Sequence, residues 1–274
     1  MIYMIHINNL SYRYPDGTLV LDSVSMDVHK GEFVAIAGKN GSGKSTLLRH
    51  MNGLMLPSEG SVVVKGMDTI DSSFILNIRQ IAGMVFQDPQ SQFIGMTLEE
   101  DVAFGPENLG LPQEDIRKRV DMSLQDVGMQ EYKHQTPGSL SGGQKQKVAL
   151  ASILAMKPEI ILFDEVTSML DPYSRGEILG LITQLHENGT TIVYVTHRLE
   201  ELVHADRLIV MENGRITHNG YPRVILSQGN VVDSGFEFPP VIELAKRLCD
   251  SGFIDPACFP LSREKLMEAL CQLM

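Results

Sequence analysis

Gly38-Lys39-Asn40-Gly41-Ser42-Gly43-Lys44-Ser45-Thr46 is the stretch on which the reading of this chain turns. It has the spacing Gly-x-x-x-x-Gly-Lys-Ser/Thr, and its flanks suit that pattern. Phe33-Val34-Ala35-Ile36-Ala37 before it reads as a short buried strand, and Ser45 to Met51 after it reads as the start of a helix. Strand, glycine loop and helix together make a nest for a polyphosphate. The glycines let successive backbone N–H groups turn inward toward an anion, and the helix N-terminus adds its partial positive charge. Lys44 is expected on the β- and γ-phosphates, and the Ser45 hydroxyl on Mg²⁺.

Upstream, Ile5 to Tyr14 and Leu19 to Val28 alternate apolar and polar residues around the turn Pro15-Asp16-Gly17. An antiparallel layer therefore precedes the loop. Tyr14 suits stacking on a purine ring, and equally a place as an ordinary strand aromatic. Downstream, Ser61-Val62-Val63-Val64 and Ile81 to Phe86 read as strands, the second stopping at Gln87-Asp88-Pro89. Gln87 is a candidate for coordinating Mg²⁺ or orienting a water.

From Asp88 to Met156 the strand signal fades. Ile116, Val120, Leu124 and Val127 recur at helical spacing between Pro112 and Gly128. Thr97-Leu98-Glu99-Glu100-Asp101 places acids at a helix start, which fits dipole compensation and also a socket for a basic partner element. Leu140-Ser141-Gly142-Gly143-Gln144 then opens a helix running to Ala155, a second candidate anion site. Lying so far along the chain from the first, it suggests one nucleotide held between two copies of the protein.

Ile160-Ile161-Leu162-Phe163-Asp164-Glu165 is an apolar strand ending in two carboxylates. Asp164 is expected to hold Mg²⁺, and Glu165 to orient or deprotonate an attacking water. Ser168-Met169-Leu170-Asp171-Pro172 reads as a turn. Thr190 to Thr196 is another buried strand and delivers His197 at its end, where ligands bind in parallel sheets. Leu208 to Met211 and Arg215 to Thr217 flank Asn213-Gly214 as a hairpin. Beyond Pro222, Phe236-Glu237-Phe238-Pro239-Pro240 reads as a stiff linker. Two short amphipathic helices follow, one through Val241 and Leu248 and one through Leu266 and Leu273, the latter capped by Ser262. They either pack on the main domain or meet a second subunit.

The chain has 274 residues and a net charge of -11, so no general basic surface for nucleic acid is expected. No apolar run reaches the roughly 18–20 residues of a membrane span, and Met1 to His6 lacks the basic region of a signal peptide. A cytoplasmic location, docked on a membranous partner, is the expectation. Cys249, Cys258 and Cys271 fit no zinc spacing and read as free thiols.

These motifs, in this order, resemble an ATP-binding cassette (ABC) ATPase: the phosphate loop Gly38–Thr46, the glutamine loop at Gln87, the signature Leu140–Gln144, the acidic strand ending Asp164-Glu165, the aspartate loop to Asp171 and the switch histidine His197. Val166 and Met169 stand where alanines are often found, and neither change removes a catalytic group. Phe86 to Phe93, Asp101 to Asn108 and Phe238-Pro239-Pro240 resemble the narrower family of energy-coupling factor, or cobalt-type, importer ATPases. The resemblance implies an α/β fold of the P-loop NTPase class: a RecA-like core, an antiparallel β subdomain and a helical subdomain at about 88–157 within residues 1–225. A small helical extension at 226–274 would serve dimerisation. It further implies ATP and Mg²⁺ as ligands. Lys44, Glu165 and His197 are the implied catalytic residues. Tyr14, Gly38, Lys39, Asn40, Gly41, Ser42, Gly43, Lys44, Ser45, Thr46 and Gln87 would bind ATP, and Ser45, Gln87 and Asp164 would hold the metal. Leu140, Ser141, Gly142, Gly143 and Gln144 would reach the nucleotide of a partner subunit, and Asp171 would communicate across the dimer. The implied partners are a second cassette, identical or paralogous, a transmembrane coupling protein and a substrate-capture membrane subunit, with cobalt, nickel or a vitamin as cargo. An ATPase for another ABC transporter is the nearer alternative. One acting on ribosomes or DNA is the distant one, because the doubled cassette or long coiled coil of such proteins is missing.

Overall fold

The computed structural model describes residues 3–227, 240–255 and 258–272. Of the linker expected at Phe236–Pro240, residues 236–239 lie outside them and Pro240 opens a helix. The chain forms two compact units, one of residues 1–70 and 193–274, the other of residues 71–192.

In the first unit, β1 (Tyr3–Arg13) pairs antiparallel with β2 (Leu19–His29) on one side and with β4 (Glu59–Val64) on the other, and the short β5 (Met67–Asp68) extends the layer. Alternation sets the buried face: Ile5 and Ile7 on β1, Val24, Met26 and Val28 on β2, Val62 and Val64 on β4. The register between β1 and β4 depends on Gly60. Its φ is +82°, and a Cβ there would lie 2.3 Å from the Asn9 carbonyl oxygen and 2.5 Å from that of Asn8.

The rest of this unit is built on parallel strands. β3 (Phe33–Ala37) is buried throughout, as a strand covered on both faces must be, and it lies beside β9 (Arg207–Glu212) in parallel register. β9 turns back antiparallel into β10 (Arg215–Gly220). Asn213 and Gly214 both have positive φ, 47° and 78°, the requirement of a tight hairpin turn. β8 (Thr191–Thr196) crosses the division between the units. α1 (Lys44–Met51) follows the glycine loop. The tail helices α7 (Pro222–Ser227), α8 (Pro240–Asp250) and α9 (Arg263–Gln272) pack on this unit: Ile242, Ala245, Phe259 and Leu266 share one apolar cluster with Ala37 and Val210. Ser262 caps α9 by accepting the Lys265 N–H at 3.2 Å. The three cysteines are free thiols.

In the second unit, β6 (Ala82–Val85) and β7 (Ile160–Asp164) pair in parallel. Helices α2 (Ile75–Ile81), α3 (Leu98–Asn108), α4 (Gln113–Asp126), α5 (Gly142–Ala155) and α6 (Pro172–Glu187) make up most of the remainder. Thr97 and Glu100 form a reciprocal capping box at the start of α3. Asp101 is buried and accepts from the Ile94 N–H at 2.8 Å and the Ser152 hydroxyl at 3.2 Å, so this acid serves packing. The turn expected around Ser168–Leu170 is present, its Leu170 N–H donating to the Thr167 carbonyl at 3.1 Å, and Asp171-Pro172 at its end opens α6. Asp171 is the cap, accepting from the Tyr173 and Ser174 N–H groups at 3.0 Å, and Pro172 occupies the first helical position, where its missing N–H costs nothing. Among the described residues no helix is long and apolar enough to cross a membrane.

Two measurements check this packing. Gly60→Ala must force β1 and β4 apart or strain the chain, so urea unfolding is expected to show a loss of about 2 kcal/mol or more; an unchanged midpoint would contradict the close approach. The second concerns His50, fully buried on α1, with Nδ1 2.7 Å from the Thr46 carbonyl oxygen and the Tyr12 ring edge-on at 4.7 Å. Burial pushes its pKa below the ordinary 6.5, against the opposing pull of the Thr46 carbonyl. The unfolded chain therefore binds a proton that the folded chain refuses. Stability is intact above 6.5 and falls as the pH drops below it toward the folded value. His50→Gln is expected to reduce the stability lost between about pH 7.5 and about pH 5.5; an undiminished loss would place the acid sensitivity elsewhere.

Candidate active site

The site residues of the first unit gather on the loop between β3 and α1. Gly38 is buried, and a Cβ there would lie 2.4 Å from the Met211 carbonyl oxygen and 2.6 Å from Ser42 Oγ. Gly43, at φ +101°, is the N-cap of α1, and a Cβ on it would meet Leu21 and the Val20 carbonyl at 2.9 Å. No side chain fits at either position. The hairpin turn braces the loop from outside: the Gly214 N–H donates to the Ser42 carbonyl at 3.1 Å, and the Asp22 N–H donates to the Gly214 carbonyl at 3.0 Å.

Inside this frame Lys44 is 4% exposed, and its ammonium donates to the Gly38 and Lys39 carbonyls at 2.8 and 3.0 Å. The cation is held within the curl of the loop. Ser42 is also 4% exposed, and its hydroxyl has no hydrogen-bond partner among the described residues. A buried donor left unsatisfied is costly in a finished core. Beside a lysine and a helix N-terminus it fits an arriving phosphate oxygen. Lys39, Asn40 and Gly41 form the exposed rim, while Ser45 is half-buried and Thr46 buried at the first turn of α1. Tyr14 is half-buried. Its hydroxyl lies 3.3 Å from Thr46 Oγ1 and its ring meets Tyr12 edge-on at 5.3 Å, which ties it to the same helix. His197, just beyond β8, is exposed.

The second unit carries the remaining candidates. Asp164 ends β7 at 4% exposure. Glu165 follows with φ at 47°, the left-handed region that a residue bearing a side chain seldom adopts. Such a position is held only where the surrounding structure over-determines it, and it turns Glu165 out of the strand direction. Gln87 donates to the Ser168 hydroxyl at 3.1 Å, which joins the glutamine loop to the aspartate loop. Just before Gln87, the Phe86 carbonyl accepts from the Gln146 amide of α5 at 3.3 Å.

Ser141 and Gln144 form a reciprocal capping box on α5. Leu140 is buried, Gly142 exposed and Gly143 buried. A Cβ on Gly143 would lie 2.5 Å from Ser174 Oγ, and that hydroxyl donates to Asp171 at 2.6 Å. The signature helix and the aspartate loop are thus in direct contact. The Ser174 hydroxyl and amide, with the Tyr173 amide, hold the Asp171 carboxyl below the usual carboxylate range. Sequence reading gave no role to Ser168, Ser174 or the Gly214 turn, because each acts through a contact between segments far apart in the chain.

The fold agrees with comparisons to known proteins. The ABC transporter family model matches residues 21–168. The energy-coupling factor transporter ATP-binding protein EcfA of Methanosarcina acetivorans is 51% identical over 270 residues, covering 98% of both chains. Among solved structures, cbiO1 from Clostridium perfringens, described as part of the ABC transporter complex cbiONQ, matches with a TM-score of 0.77 and 35% identity, over 89% of this chain and 99% of its own. A dimeric, post-hydrolysis form of the ATP-binding cassette MJ0796 bound to ADP and Pi matches with a TM-score of 0.72 and 32% identity, over 80% of this chain and 99% of its own. A match that reaches through the tail as well as the cassette fixes the branch: the chain belongs to the ABC transporter family, as an energy-coupling factor type ATP-binding protein that hydrolyses ATP in the service of transport.

Proposed function

We propose that this chain is the ATP-hydrolysing subunit of an energy-coupling factor importer, driving uptake of cobalt, nickel or a vitamin. It would work through a transmembrane coupling protein and a separate substrate-capture subunit, from the cytoplasmic face of the membrane. The observation that carries this reading is the near-full-length relation to an energy-coupling factor ATPase. The cassette motifs alone are common to ABC ATPases of many kinds, whereas this relation includes the tail.

The residues divide the work as follows. The amides of Gly41 and Gly43 and the Lys44 ammonium bind the phosphates, and the orphaned Ser42 hydroxyl joins them. Tyr14 supports the base. Ser45, Asp164 and Gln87 are the residues that would hold Mg²⁺, whose chemistry there would be to offset charge on the phosphates. Glu165 takes the proton of the attacking water or fixes its direction, and His197 contacts the γ-phosphate. Ser141 and Gly143 of a second copy, or of a paralogue, complete each site, and Asp171 carries the state of one site to the other. A second subunit is supported by the solved cassette that is dimeric. On the tail, Leu244, Phe253 and Met267 are exposed apolar side chains, which suits a contact with that subunit. Closure is favoured because the nucleotide bridges both subunits, and hydrolysis removes the bridge.

Glu165→Gln tests the chemistry. Its amide keeps the shape and loses the base, so ATP binding persists, an ATP-bound dimer accumulates in gel filtration, and turnover falls by roughly 100-fold or more. Hydrolysis at the parental rate would remove Glu165 from the mechanism.

A further inference from the structure

One buried carboxylate of the first unit has no place in the reaction described above. Glu201 lies in the short 3₁₀ turn Leu199–His204 and is 1% exposed. Its Oε2 accepts two hydroxyls, that of Tyr194 at 2.8 Å and that of Thr196 at 2.6 Å. Thr196 Oγ1 in turn accepts the Arg198 N–H at 3.0 Å. These bonds fix the direction of the relay. The backbone N–H of Arg198 donates inward to Thr196, so the Thr196 hydroxyl proton is committed to Glu201. Thr196 and Arg198 are the immediate neighbours of His197. The chain is therefore pinned on both sides of an exposed histidine, and the anchor of both pins is one carboxylate.

Burying an acid is costly, and a hydrogen-bonded network of this kind specifies one local geometry. β8 does not depend on it for burial, since Ile192, Val193 and Val195 are buried apolar side chains. What the network fixes is the point where the strand ends and the backbone turns, and that point sets where the His197 imidazole is presented.

We propose that Glu201, acting through the Thr196 hydroxyl, is a positioning residue for His197. The assignment rests on the reading of His197 as a γ-phosphate contact. Its physical basis is that a catalytic contact tolerates little displacement: drift of about 1 Å can cost on the order of 100-fold in rate. Tyr194 holds Glu201 from the interior side, so the carboxylate spans the space between the strand and the turn.

Steady-state ATP hydrolysis by the full-length chain, with nucleotide binding measured in parallel, separates this role from mere stability. Thr196→Val keeps the shape and removes the relay. It is expected to lower kcat by about tenfold to 100-fold while the KM for ATP stays within about twofold. Thr196→Ser, which keeps the hydroxyl, restores most of the rate. Glu201→Leu shifts kcat in the same direction; should it not fold, Thr196→Val carries the test. His197→Ala lowers kcat by itself, and adding Thr196→Val to it causes no further loss. A further loss in that double variant, or a fall in ATP binding matching the fall in rate, overturns the positioning role and leaves His197 in place. A parental rate for His197→Ala overturns the histidine reading, and this assignment with it.

Discussion

The first unit depends on how closely its backbone can approach an anion. Phosphate binding by N–H groups requires the chain to curl without side chains on its inner surface. That curl is only as good as what surrounds it. Gly38 has the Met211 carbonyl against it, Gly43 has Leu21 and Val20, and the Gly214 turn holds the Ser42 carbonyl. β2, the β3 loop and the β9–β10 hairpin are therefore placed as a set. The parallel sheet puts its strand end at the loop, and the hairpin keeps the loop from opening.

The second unit follows a different rule. Its site elements are joined by short polar links in place of backbone closeness alone. Gln87 bonds to Ser168, Gln146 bonds to the carbonyl before Gln87, and Ser174 sits against Gly143 while donating to Asp171. A displacement of any one of these loops breaks a hydrogen bond in another. Such an arrangement suits a machine in which the state of a nucleotide must be passed on, because coupling needs contiguous contacts with distinct alternatives. The left-handed backbone at Glu165 belongs to the same logic, since a strained residue holds its direction only while its neighbours hold theirs.

Much of this was legible in the sequence. β3, β7 and β8 are continuous apolar runs, and a strand buried on both faces has to look like that. The glycine loop and the acidic strand end announce themselves by spacing. The Asn213-Gly214 hairpin follows from turn chemistry alone. α6 escaped because Asp-Pro opens a helix as readily as it makes a turn, and because only Ile178 and Ile182 of its sixteen residues are buried, too few to give a strong period. The tail helices were visible as amphipathic segments, but their partner surface was not, since an apolar stripe does not say what it covers. Glu201 was invisible for a related reason. Its neighbours in sequence, Glu200 and Leu202, say nothing of burial, and its meaning comes from two hydroxyls on another element.

If this ATPase powers import through membrane partners, those partners come with it on isolation. Tagged chain would be purified in mild detergent from its native membranes, and its companions identified by mass spectrometry. A multi-span coupling protein is expected together with a small membrane-embedded capture subunit, whose pocket would then point to the cargo. Recovery of ribosomal or DNA-bound proteins in their place, with no membrane protein, would contradict it.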